Sequence, residues 1–205
     1  MNYLKDPQAI YRQSFATIRA EADLAGIAGS ERDIAVRMIH ACGMTDIAVD
    51  IRISAGLAEA VKAAIDGGAP VFTDCEMARH GIIRKALPAA AEIICTLNDP
   101  RARAEGLLKN TTRSAAAVSV WAGRLSGAVC VIGNAPTALF ALLEMLDAGS
   151  PKPAAIIGCP VGFVGAAESK AELHRDPRGI PYATVLGRRG GSAIASAAFN
   201  AVFAA

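Results

Sequence analysis

His40, in the stretch "RMIHACG", is the residue of this chain best suited to proton chemistry. It is one of three histidines. An unperturbed imidazole has a pKa of about 6.5, so it can hold or release a proton near neutrality. Arg37 lies three residues earlier, so both side chains can share one face of a helix. A titratable ring beside a fixed cation suits proton transfer on an anionic substrate. The plainer reading is a surface or core histidine with no chemistry. Ser14 falls on the apolar face of the preceding helix, where a buried hydroxyl needs a partner. A ligand oxygen or the carbonyl of the previous turn would serve.

Further candidates cluster where apolar segments end. "TDCEMARHGI" puts Thr73 and Asp74 at a strand end, with Arg79 and His80 on the turn that follows. Asp74 is expected to cap that turn's helix and Thr73 to meet a ligand. "TTRSAAA" sets Arg113 beside a helix start, where backbone donors and a guanidinium together make an anion site. A solvated arginine fits that stretch equally well. Asn134 follows "VCVIG", and Arg188 and Arg189 sit in the glycine-rich "GRRGGS". That loop lacks the Lys of a triphosphate loop, and no GxGxxG follows a first strand, so nucleotide chemistry is disfavoured. In "ESKAEL", Ser169 and Lys170 could face the site. Arg outnumbers Lys 15 to 6. That favours bidentate pairing with carboxylates, although codon bias gives the same excess.

The elements that must position these residues follow from periodicity. Asp6 and Pro7 open a helix whose stripe is Ile10, Tyr11, Phe15, Ile18 and Ala22. Ser30 is expected to cap a second helix with Ile34, Met38 and Ala41 inward, closed by Gly43. "DIAVDIRI" (46–53) reads as extended, and "AGLAEAVKAAIDGG" as a helix closed by Gly67. "PVFTD", "AEIICTL", "AVCVIGNAP", "AAIIGCPVGF" and "YATVL" read as strands, each followed by a helical stretch. Apolar strands separated by helices predict an α/β fold: one domain over 1–205, an open and mainly parallel sheet with helices on both faces. Ligands of such sheets bind beyond the carboxyl ends of the strands.

Composition narrows the function classes. Apolar residues make up 53% of the chain, and the mean hydropathy of +0.34 leaves apolar surface for a subunit interface to bury. A formal net charge of +2 argues against nucleic-acid binding. No uninterrupted apolar run reaches the ~18 residues of a membrane span. The opening "MNYLKDPQAI" holds no apolar signal core, so export is not expected. Cys42, Cys75, Cys95, Cys130 and Cys159 form no CxxC and no metal-ligand spacing. They read as reduced thiols of a cytoplasmic protein, with no metal site.

Taken together, "RMIHACG", "TDCEMARHGI", "TTRSAAA", "VIGNAPTALF", "GCPVGFVGAAESKAEL" and "GRRGGSAIA" resemble the precorrin-8X methylmutases (precorrin isomerases) of cobalamin biosynthesis. The match runs nearly end to end and in order. The resemblance implies an intramolecular methyl shift from C-11 to C-12 of a tetrapyrrole, giving hydrogenobyrinic acid. It implies that His40 is the catalytic histidine, protonating or hydrogen-bonding a ring nitrogen, and that Ser14 and Arg37 contact substrate. It also implies a homodimer and no cofactor, since a unimolecular migration needs neither nucleophile, metal nor redox group. Thr73, Asp74, Arg79, Arg113, Asn134, Arg188 and Arg189 stand beside these as candidate contacts for the tetrapyrrole's carboxylate arms. The alternatives are a cobalt-precorrin-8 methylmutase of the anaerobic route, a non-catalytic corrinoid-binding protein, or a nucleotide-dependent enzyme resting only on "GNAPTA" and "GRRGG".

Overall fold

Short apolar runs and amphipathic stretches alternate along the chain, and they assemble as a sheet between two helical layers. In this computed structural model, which describes residue 1 and residues 3–204, the strands are β1 (Ile51–Ile53), β2 (Val71–Thr73), β3 (Ile93–Cys95), β4 (Val129–Ile132), β5 (Ala155–Gly158) and β6 (Tyr182–Val185). Their order is β1-β6-β5-β4-β2-β3. All pairs are parallel except β1 with β6, where Ile51 lies opposite Val185 in antiparallel register. The expected α/β class, an open and mainly parallel sheet, is what forms.

The central strands bury both faces. Val129 and Val131 of β4 enter one core, while Cys130 and Ile132 enter the other. Continuous apolar strands of this kind require helices on both sides. One side carries α1 (Pro7–Glu21), α2 (Gly29–Cys42), α3 (Leu57–Asp66) and α9 (Ser192–Ala201), with α4 (Glu76–Gly81) against α9. The other carries α6 (Arg113–Ser119), α7 (Pro136–Asp147) and α8 (Ala166–Arg175), with α5 (Pro100–Leu108) packed on α6. Trp121 is fully buried there. It stacks on Phe72 at 5.1 Å and donates its indole N–H to Thr96 at 2.7 Å.

Several local signals act as the sequence suggests. Asp6 accepts from the amides of Gln8 and Ala9 to start α1, and Gly43 ends α2 in the left-handed region at φ 69°. Others do not. The N-cap of α2 is Ala28, not Ser30, whose hydroxyl turns to Glu31 and Glu59 instead. Ala41 is exposed rather than part of the buried stripe. The 46–53 stretch is extended only over Ile51–Ile53, because Thr45–Asp50 winds as 3₁₀ turns. Ile47 and Ala48 are adjacent and both buried in the same core, which the alternating faces of a strand do not permit.

Asp74 also departs from expectation. The cap of α4 is Cys75, whose sulfur accepts from the Ala78 amide at 3.5 Å. The Asp74 carboxylate reaches across to the start of α7 and accepts the amides of Gly133, Asn134 and Ala135 at 2.9, 2.9 and 2.7 Å. Burial pushes its carboxyl above the usual range, and the three amide donors oppose that push. Thr73 is equally buried and donates to the Ile94 carbonyl at 3.4 Å. Neither side chain reaches the surface, so both shape the end of the sheet from beneath. The turn Asp74 braces is tight: a Cβ on Gly133 would lie 2.6 Å from the Ser192 Cα. Asp74→Ala should cost about 3 kcal/mol, since two buried amide donors and one part-buried one lose their acceptor. Urea unfolding checks this, and an unchanged midpoint would contradict it.

Candidate active site

Strand direction decides where His40 lies. β2, β4, β5 and β6 are parallel and share one carboxyl end. β1 is antiparallel to β6, so the chain must arrive at that same end to enter it. The Leu186 amide just past β6 donates to the Asp50 carbonyl at 2.9 Å, closing the join. The 3₁₀ turns of Thr45–Asp50, and the C-terminal turn of α2 before them, are therefore carried to the carboxyl edge of the sheet. His40 occupies that last turn.

A second link fixes the same region. Arg189, in the loop after β6, donates one guanidinium nitrogen to Asp46 and another to Asp50, the latter at 2.9 Å. Its fork is thereby committed within the protein, which departs from the expectation that it meets substrate. Lys170 of α8 exposes no surface and donates its ammonium to the Arg189 carbonyl. Burial lowers the Lys170 pKa to about 8, with Cys159 and Asp50 pulling the other way. Ser169 is also buried and donates to the Ala166 carbonyl at 3.2 Å. Lys170 thus braces the loop from below, Ser169 is satisfied within its own helix, and neither is exposed to solvent.

His40 itself is exposed and held on three sides. The Ser14 hydroxyl lies 2.9 Å from Nδ1. The Phe15 ring stands edge-on at 5.3 Å between centroids and the Tyr11 ring lies tilted at 5.4 Å. Nε2 has no hydrogen-bond partner among the described residues. Ser14 can act either way in this pair. If it donates to a neutral ring, or accepts from an imidazolium, Nε2 carries a proton; if it accepts from a neutral ring protonated at Nδ1, Nε2 is a bare acceptor. The first two states present an N–H at Nε2. The ring borders a cleft of about 430 Å³ whose lining includes Leu4, Ile10, Ser14, Glu21 and Thr45.

Arg37 is close but not in the same cleft. It donates to the Tyr11 hydroxyl at 2.7 Å and lies over the rings of Tyr11 and Phe15 at 5.6 and 5.3 Å. It lines a neighbouring cleft of about 400 Å³ with Phe15, Arg19, Asp33 and Ala201. The two aromatic rings form the wall between Arg37 and His40. Residue type and spacing could have shown this, because Tyr11, Ser14 and Phe15 share a helix face. The periodicity registered Tyr11 and Phe15 only as apolar stripe. Glu21 and Thr45 carried no signal.

The other candidates spread along the carboxyl edge. Asn134 and Arg113 are exposed, and the cap of α6, Thr112, donates to Thr137 of α7 at 2.8 Å, so the two helix starts meet. Arg188 is exposed with its guanidinium 5.5 Å from the Phe163 ring. Arg79 pairs with Glu76 at 3.2 Å and lines, with His80, a smaller cleft that shares no residue with that of His40. The structure brings Ser14 and His40 into contact and sets Arg37 on the other side of the Tyr11 and Phe15 rings. It does not bring Arg79, Arg113, Asn134 or Arg188 into contact with them.

A mainly parallel sheet with a hydroxyl-bound imidazole near its carboxyl edge is an α/β arrangement able to support acid–base chemistry. Comparison with known proteins narrows the class. The family described as precorrin-8X methylmutase matches residues 9–205. A precorrin-8X methylmutase of Pseudomonas aeruginosa is 58% identical over 202 residues, covering 98% of this chain and 97% of that protein. One from a Sinorhizobium species is 53% identical, covering 98% and 96%. A cobalt-precorrin-8 methylmutase of Salmonella typhimurium is 35% identical over 98% and 97%. The solved precorrin-8X methyl mutase of Thermus thermophilus superposes with a TM-score of 0.84 at 36% identity, covering 96% of this chain and 94% of that one. The chain belongs to the precorrin-8X methylmutase family, and it is an isomerase of cobalamin biosynthesis.

The brace under Arg189 makes a prediction. Lys170→Met removes the buried donor while keeping the volume of the side chain's stem. The amides of 187–191 should then exchange with deuterium at least ~10-fold faster, matching the loss of one charged hydrogen bond. Unchanged exchange there would remove Lys170 from this role.

Proposed function

We propose that the protein moves a methyl group from C-11 to C-12 of precorrin-8X, giving hydrogenobyrinic acid, with His40 as the acid. The observation that carries this is the Ser14–His40 pair, whose 2.9 Å contact at Nδ1 leaves Nε2 without a hydrogen-bond partner among the described residues, on a ring that borders a cleft. The bond from the methyl to C-11 breaks and one to C-12 forms within a single molecule. The reaction needs no net proton. It needs a ring nitrogen held in one protonation state while the methyl moves. A placed imidazole N–H supplies that, and Ser14 adjusts to either charge state of the ring.

Recognition rests on carboxylate arms meeting guanidinium groups. Arg37 has donors to spare beyond its bond to Tyr11. Arg113, Arg188 and Asn134 stand exposed on the same edge, and Arg79 lies further along it. Thr73, Asp74 and Arg189 act beneath them, by holding backbone in place. The metal-free substrate is favoured over the cobalt form by the relatives: those named for precorrin-8X are 58% and 53% identical, against 35% for a cobalt-precorrin-8 enzyme. A homodimer is supported by apolar side chains left in solvent, including Ile10 on α1 and Phe163 and Val164 in the loop after β5. A cytoplasmic location is supported by five unpaired cysteines. No helix among the described residues is long and apolar enough to cross a membrane.

His40→Ala should lower kcat by roughly 100-fold or more while hydrogenobyrinic acid still binds. Stopped-flow absorbance with precorrin-8X and a product titration measure the two, and wild-type turnover in this variant would exclude the acid role. Arg37→Ala should weaken product binding by about 10-fold or more, the loss of a charged hydrogen bond. Unchanged affinity would remove Arg37 from the site.

A further inference from the structure

Tyr11 takes no part in the proton step, yet it touches both groups assigned to the reaction. Its hydroxyl accepts from Arg37 at 2.7 Å, and its ring centroid lies 5.4 Å from that of His40. It is 42% exposed, so the core does not hold it. What holds it is local: the Phe15 ring at 4.5 Å and 52°, and the Arg37 guanidinium, which bonds its hydroxyl and lies over its face. Phe15 in turn stands edge-on to His40 at 84°. The three rings form one cluster, with Arg37 closing it on the side away from the His40 cleft.

We propose that Tyr11 is a positioning residue for the methyl shift, through its ring for His40 and through its hydroxyl for Arg37. The proposal rests on the reading of His40 as the acid. Ser14 bonds only one atom of the imidazole, Nδ1, and a single hydrogen bond on an exposed side chain leaves its two torsions room to drift. Two rings packed against the imidazole narrow that range, which fixes the direction of Nε2. The hydroxyl does a separate task. Arg37 carries a long, flexible side chain, and a bond from one of its five N–H groups to a fixed oxygen aims the rest of the fork. One side chain thus sets the angle of the acid and the angle of the carboxylate clamp. The two tasks separate chemically, because phenylalanine keeps the ring and loses the hydroxyl.

The test compares Tyr11→Phe, Tyr11→Leu and His40→Ala, using kcat and KM for precorrin-8X and titration with hydrogenobyrinic acid. Tyr11→Phe should raise KM and the product Kd by about 10-fold, the loss of one charged hydrogen bond, with kcat within about twofold of wild type. Tyr11→Leu should raise KM similarly and also lower kcat by roughly 10-fold or more, as expected for a misaligned acid. A purely structural role would lower kcat equally in both variants, and that result overturns the proposal. So does an unchanged KM in Tyr11→Phe, which decides the matter alone if the leucine variant shows no cooperative melting. An inactive His40→Ala beside a fully active Tyr11→Leu overturns this proposal only. A fully active His40→Ala overturns the acid reading, and this proposal with it.

Discussion

The guanidinium of Arg189, gripped between Asp46 and Asp50, joins the two halves of this molecule at its working edge. Arg189 belongs to the loop after the last strand. The two carboxylates belong to the turns after α2, whose final residues carry His40. Partly exposed ion pairs contribute modestly to stability, so the importance of this one is geometric. It sets the distance between a helix layered on one face of the sheet and the strand ends where the other candidate groups stand. The backbone bond from Leu186 to Asp50 and the buried Lys170 ammonium under the Arg189 carbonyl hold the same junction from two further sides. A single antiparallel strand, β1, makes this possible. Were β1 parallel to β6, α2 would end at the opposite edge of the sheet.

Much of this fold was legible in the residues. Asp6–Pro7, Gly43 and Gly67 mark helix ends by local chemistry that no tertiary context overrides. The apolar runs of β2, β4, β5 and β6 announce buried parallel strands. The 45–50 turns did not declare themselves, because Ile47, Val49, Ile51 and Ile53 alternate as a strand would. Only the burial of Ile47 beside Ala48 resolves the winding. The direction of β1 was equally silent, since alternation carries no sign.

Within the site, residue types were legible and partners were not. His40 bonds Ser14, Arg37 sits against the Tyr11 and Phe15 rings that also flank His40, and their roles come from the resemblance to the methylmutases. Asp74 and Arg189 have the chemistry of ligand contacts but spend it inside the protein, on the three amides at the start of α7 and on two carboxylates. Their partners lie 59 to 61 and 139 to 143 residues away in the chain, beyond the reach of any local pattern. Tyr11 was visible only as an apolar position, although its hydroxyl and ring both face groups of the site.

An isomerase that moves one methyl group within its substrate makes small demands on its side chains and large ones on their placement. On the proposed reading, one N–H meets one nitrogen of a flat polyacid. The most direct measurement of that contact is the nitrogen NMR spectrum of protein labelled at histidine, recorded with and without hydrogenobyrinic acid. The account predicts that the Nε2 resonance of His40 shifts on binding and its proton becomes protected from exchange, while Nδ1 keeps the signature of its bond to Ser14. A His40 Nε2 resonance unmoved at saturating product would contradict it.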